Sequence, residues 1–304
     1  MTANRAASVL ARLKNRADAK GEDFQLVLTR FAMERLLARL VAAGYQDTFL
    51  LKGALLFNLW YDEPHRPTRD MDLLGSGPDD TELLVQRFRE IAATQLDDAV
   101  IFDPNTVTAA PIREANAYGG VRVSLMAAIG QTRTPLQVDV AFGDTVTPTP
   151  EWADYPALLD DIAAPRVRVY PVYSVIAEKY QAMTTLGLAN SRMKDFFDLA
   201  YIAAHDDLDG ALLAKAIRAT FERRKTALPD APPLAITSAF AKNEDKIKQW
   251  RAFMGRSGLG AMELSDAVAT LYDLLWPPTV VARDGTDATA TWRAASRRWE
   301  ADIA

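Results

Sequence analysis

Two aspartates spaced one residue apart, in the stretch Arg69-Asp70-Met71-Asp72-Leu73-Leu74, are the first residues of this 304-residue chain whose types and spacing suggest chemistry. Residues i and i+2 of a strand point to one face, so both carboxylates can converge on a single divalent cation. Mg²⁺ is held through one or two carboxylates together with substrate phosphates, and it accompanies nucleoside triphosphates. A D-x-D pair is common, and most examples are solvated acids near a turn. The residues upstream point toward a metal seat. Lys52-Gly53 follows the apolar run Phe49-Leu50-Leu51. A glycine after a strand lets a phosphate approach backbone N–H groups at a helix start, and Lys52 adds positive charge there. A plain turn is the alternative role for Gly53.

A third acid stands inside an apolar strand. Asp139 is flanked by Val138 and Val140, where an unpaired charge is costly to bury, and its neighbours point to the opposite face. It is either a third carboxylate for the Asp70/Asp72 pair or an edge-strand acid facing water. Further on come Glu178-Lys179 within one helical segment and Lys194-Asp195-Phe196-Phe197-Asp198-Leu199 in the next. Alone, these read as a solvated lysine and surface charge pairing. Asp195 and Asp198 are three apart and share a helix face.

The elements that must position these residues follow from periodicity. Helices are expected over 3–19 and 23–43, broken at Gly21. Segment 49–75 reads as strand, turn, a helix of about two turns, a loop holding Pro64, Arg66 and Pro67, and a strand. Asp79, Asp80 and Thr81 are N-cap candidates for a helix to Ala93. Strands are expected near 106–113, 121–127 and 135–142, with a Gly119-Gly120 hairpin turn, and a short one at 167–170. Prolines 148, 150, 156 and 165 mark a boundary in 144–165. Beyond it the chain reads as helices over 173–187, 193–205, 209–225, 235–255 and 262–275, ended by Pro277-Pro278. A terminal helix is expected around Thr291 to Asp302.

Composition excludes several functions. The net charge of −5 argues against a protein that coats nucleic acid, so any RNA contact is confined. With no cysteine there are no disulfides or thiolate sites, and with only His65 and His205 there is no histidine-rich zinc site. No run approaches the roughly 18 apolar residues of a membrane span, and the N-terminus lacks an apolar signal core. A cytoplasmic protein with no membrane association is expected.

Lys52-Gly53, an apolar helix, then Arg66-Pro67-Thr68-Arg69-Asp70-Met71-Asp72-Leu73, followed by Glu178-Lys179 and Lys194-Asp195-x-x-Asp198-Leu199, resembles the AbiEii/MenT-type nucleotidyltransferase toxins of bacterial toxin–antitoxin pairs. Their core is similar to that of DNA polymerase β-type transferases. The resemblance covers roughly residues 49–201. It departs from the family at Ala54, which stands where relatives commonly have a small Gly or Ser. Asp139 is matched only by its strand context.

The resemblance implies an α+β fold: N-terminal helices over 1–48, a polymerase β-like core with a mixed sheet over 49–165, and an all-α or mainly helical C-terminal domain over 166–304 that completes the active site. It implies a Mg²⁺-dependent (or Mn²⁺-dependent) enzyme that transfers nucleotides from an NTP to RNA. The implied acceptor is the 3′ end of transfer RNA, so that aminoacylation and translation stop, and an antitoxin is the implied partner. Asp70, Asp72 and Asp139 would be the metal ligands and catalytic acids. Asp195, with Lys179, would join them in the active site, Asp198 giving support. Lys52, Gly53, Arg66, Thr68, Lys179 and Asp198 would lie along the nucleotide, and Thr68 is a candidate for a regulatory phosphate. Arg166, Arg168, Arg192, Arg223, Arg224 and Lys225 are available for RNA docking. An enzyme acting on a protein or small-molecule hydroxyl, and a non-catalytic NTP-binding protein, fit the same residues.

Overall fold

The computed structural model describes residues 3–61, 68–112, 119–257, 259–260, 262–286 and 290–301. It divides into two compact units. Met1–Asp144 with Pro150–Tyr170 make the first, and Thr145–Thr149 with Pro171–Ala304 make the second.

The first unit runs α1 (Ala3–Lys20), α2 (Phe24–Ala42), β1 (Phe49–Lys52), α3 (Leu55–Trp60), β2 (Asp70–Gly75), α4 (Thr81–Ala93), β3 (Val100–Ile112), β4 (Gly120–Ile129), β5 (Thr132–Phe142), β6 (Glu151–Asp154) and β7 (Arg166–Val169). Its seven strands form one mixed sheet in the order β3-β4-β5-β2-β1-β7-β6. The pairs β2/β5 and β1/β7 are parallel and the others antiparallel. One face is apolar: Met71, Leu73, Leu125, Leu136, Val138 and Val140 are buried on it. Helix α2 packs on β5 and β7, and α4 on β3 and β4. Strand alternation leaves Lys52, Asp70, Asp72, Arg122 and Asp139 on the other face, partly exposed.

Local signals explain the helix starts. Asp23 and Asp80 accept from the backbone N–H groups of Leu26 and Leu83, three residues on, as N-caps do. Within the core, Arg39 on α2 binds both oxygens of Asp98 at 2.7 and 2.9 Å and the Val100 carbonyl at 2.7 Å. This places the start of β3 against α2 and satisfies a guanidinium that would be costly to bury alone.

The second unit contains α5 (Val172–Leu186), α6 (Met193–His205), β8 (Leu208–Asp209), α7 (Gly210–Arg223), α8 (Ser238–Ala241), α9 (Glu244–Ser257), α10 (Leu264–Asp284), β9 (Ala290–Arg293) and β10 (Arg298–Ala301). Three expectations fail here. Residues 235–255 do not form one helix: α8 ends at Ala241, and Asn243 accepts from the N–H groups of Asp245 and Lys246 to begin α9. Pro277 and Pro278 do not stop α10, which runs on to Asp284. Pro277 lacks the N–H that would reach the Asp273 carbonyl, and the Trp299 indole supplies it instead at 2.9 Å. The segment expected as a terminal helix is a hairpin of β9 and β10, joined to β8 in a three-stranded sheet. Trp292 and Trp299 are its cross-strand partners, and the Trp292 indole donates to the Ala203 carbonyl at 2.8 Å.

Candidate active site

The candidate site in the first unit is a row of charges across four neighbouring strands. Lys52 on β1 is the register partner of Asp72 on β2, Asp72 that of Asp139 on β5, and Asp139 that of Arg122 on β4. The order is therefore cation, acid, acid, cation. Asp70, two residues before Asp72, lies on the same face.

Each acid is held differently. The buried hydroxyl of Thr68 donates to Asp70 Oδ1 at 2.7 Å, so Thr68 orients a carboxylate. A hydroxyl buried this way is also poorly placed to accept a regulatory phosphate. Asp72 stands against Gly53: a Cβ added to Gly53 would lie 1.9 Å from Asp72 Oδ2, and Gly53 has φ +72°. Glycine is thus required twice, by conformation and by space. Asp139 takes two bonds from Arg122, Nε to Oδ1 and Nη2 to Oδ2, both 2.8 Å. The Arg122 side chain is 44% exposed, so the pair is worth at most about 1 kcal/mol. The hydrogen bonds that Arg122 donates to Asp139, with the fields of Asp139, Asp70 and Asp72, raise the Arg122 pKa further.

Lys52 Nζ is 3.0 Å from Asp144 Oδ2 and 4.8 Å from the centre of the Tyr170 ring. Helix α3 after Gly53 is only six residues long, so the anion-attracting effect of its dipole is slight. Arg66 lies outside the described residues.

The donor set suits a hard cation. Asp70, Asp72 and Asp139 offer carboxylate oxygens on one partly exposed face, and the absent Cβ of Gly53 leaves Asp72 room, as Mg²⁺ or Mn²⁺ requires. Among the described residues, no three acidic or histidine side chains are gathered as metal ligands, and Asp139 is held on Arg122.

In the second unit, Lys179 on α5 binds Asp195 Oδ1 at 2.6 Å and Asp198 Oδ2 at 2.9 Å on α6. Both aspartates are fully buried. Their i, i+3 spacing presents them together to one ammonium. Arg192 Nε adds an ion pair to Asp195 at 2.6 Å, at an angle outside hydrogen-bond geometry. Burial alone would raise the Asp195 pKa, but Lys179 and Arg192 outweigh it and hold the carboxyl below its ordinary value. Glu178, beside Lys179 in sequence, faces Arg224 at 3.4 Å.

Of the cations available for RNA docking, Arg168, Arg192 and Arg224 are each paired with an acid. Two residues of the site, Arg122 and Asp144, were missed by sequence reasoning. Arg122 carried a usable signal, since it stands at the polar position of an alternating strand, Val121-Arg122-Val123, as Asp139 does.

A mixed sheet presenting adjacent carboxylates beside a strand-glycine-helix turn defines a polymerase β-like nucleotidyltransferase core. The chain belongs to the AbiEii nucleotidyl transferase toxin family of type IV toxin–antitoxin systems, whose model matches residues 35–274. Such a system pairs its toxin with an antitoxin. No curated protein is significantly similar in sequence. Two solved Helicobacter pylori structures resemble the chain, each at 14% identity over 84% of it with a TM-score of 0.45. One is JHP933, 93% covered, and the other a candidate nucleotidyltransferase, 96% covered. Among the described residues, no helix is long and apolar enough to cross a membrane.

Proposed function

We propose that this toxin is a Mg²⁺-dependent nucleotidyltransferase of the cytoplasm that moves nucleotides from an NTP to RNA. The acceptor in this reading is the 3′ end of transfer RNA, and modification there blocks aminoacylation and translation. The observation that supports it is the row of Lys52, Asp72 and Asp139 in register on one sheet face, with Gly53 giving Asp72 room.

Asp70 and Asp72 hold the divalent cation, with Asp139 as a further ligand or as acceptor of the attacking hydroxyl's proton. When bound, that cation supplies electrostatic stabilisation of the charge developing on the phosphates. Thr68 fixes the rotamer of Asp70. Lys52 and the Gly53 backbone draw in the triphosphate, and Arg66 adds a phosphate contact. In the second unit, Asp195 and Asp198 set Lys179 in position, and this reading carries Lys179 as a functional residue on the strength of the family motif.

Purified protein incubated with Mg²⁺, each labelled NTP and total transfer RNA tests the reading, beside Asp72→Ala and Lys179→Ala. Label entering RNA only with the unsubstituted chain is the expected result. Label entering protein or no acceptor at all would remove the RNA assignment.

A further inference from the structure

Two carboxylates side by side on a sheet repel one another, and like charges directly opposite on neighbouring strands are destabilising. Asp72 and Asp139 are such neighbours. The row ends in a cation on each side, and the two cations are built differently. Lys52 is largely buried and also faces Asp144. Arg122 is substantially exposed and spends two donors on both oxygens of Asp139, the planar fork fitting the carboxylate. A carboxylate gripped on both oxygens is poorly available to a cation beside Asp72. Because the guanidinium already lies half in water, its release from Asp139 exposes little that was buried.

We propose that Arg122 is a positioning residue that sets the divalent-cation affinity of the acid row by holding Asp139, and that it releases this carboxylate to the cation as the site fills. This rests on the reading of the acid row as a metal seat. Arg122 acts through Asp139 and has no contact with substrate in this account. It keeps the acids from binding metal tightly before substrate phosphates contribute their own oxygens, which hard cations ordinarily use as ligands.

The test is Mn²⁺ binding to the full chain without nucleotide, followed by calorimetry or by the spin signal of free Mn²⁺. Arg122→Ala is expected to bind Mn²⁺ roughly tenfold more tightly than the unsubstituted protein, because Asp139 is released as a ligand. Adding Asp139→Asn to Arg122→Ala should erase that gain. Arg122→Lys, which keeps the charge without the fork, should fall between. If Arg122→Ala fails to fold, Arg122→Gln carries the same expectation with the strand surface better preserved.

Equal or weaker Mn²⁺ binding in the Arg122 variants overturns the proposal while leaving the metal seat intact. A gain that survives Asp139→Asn also overturns it, since the effect would then be charge alone. Absence of Mn²⁺ binding from the unsubstituted protein and the Arg122 variants alike overturns both this proposal and the reading beneath it.

Discussion

Gly53 and Asp72 meet with no side chain between them: a Cβ on Gly53 would stand 1.9 Å from Asp72 Oδ2. Gly53→Ala therefore moves the carboxylate and strains a left-handed backbone. The strain costs about 1–2 kcal/mol of stability. Displacing a catalytic group by an ångström costs on the order of a hundredfold in rate. Thermal melting and nucleotide transfer check the two parts separately, and a fully active, undisturbed Gly53→Ala protein would contradict the geometry.

Lys179→Met removes the ammonium that the buried Asp195 and Asp198 share, at a cost of about 3–5 kcal/mol. In the native protein the lowered pKa of Asp195 contributes stability that is complete above the unfolded value near 3.8 and is lost as pH falls through the folded one. In the variant the Lys179 charge is gone, and burial then acts on the Asp195 carboxyl in the upward direction, so the deficit should be largest at neutral pH and shrink as pH falls toward the unfolded value near 3.8. Urea unfolding across that range measures it, and a pH-independent deficit would sink the charge argument. Combining Lys179→Met with Asp195→Asn and Asp198→Asn should recover stability without recovering transfer.

Thr68→Val keeps the shape of the side chain and removes the donor to Asp70 Oδ1. We expect a stability loss of about 0.5–1.5 kcal/mol. Metal affinity should weaken by roughly ten- to a hundredfold, as when an outer partner of a ligand is lost. Thr68→Ser should restore both. Mn²⁺ titration decides, and an unchanged affinity in Thr68→Val would show that Asp70 needs no such support.

Trp299→Phe removes the donor that answers the Asp273 carbonyl opposite Pro277. Its cost should be about 1 kcal/mol. In a Pro277→Ala background, where a backbone N–H returns, the cost should be smaller, giving a measurable coupling in a double-mutant cycle. Additive effects would mean that the indole and the proline are unrelated.

Alternation made β2 and β5 readable from the sequence, since Met71, Leu73, Val138 and Val140 mark the buried face and leave the aspartates on the other. The pairing of Asp72 with Asp139 was not readable. It depends on β2 and β5 lying parallel and in one register, which no local pattern specifies. The grip of Arg122 on Asp139 was hidden for the same reason. In the second unit the i, i+3 spacing of Asp195 and Asp198 announced a shared face, but only packing showed that both bind Lys179. Trp292 and Trp299 explain the missed hairpin. A spacing of seven suits two turns of helix, and it equally suits directly opposed residues on two short strands, where their rings meet edge to face at 5.7 Å. Pro277 was read as a stop because the indole that replaces its hydrogen bond lies 22 residues further on.

Lys52 has neighbours that belong to two distant places in the chain. Asp144 is the last residue before the backbone first leaves the sheet-bearing unit, and Tyr170 is the last before it leaves for good. A phosphate that draws this ammonium toward the acid row must compete with both contacts. One side chain thus ties the acid row to both points at which the chain leaves this unit, and exchange of the amide hydrogens of 143–149 and 169–172 with and without triphosphate is the measurement of whether occupancy reaches them.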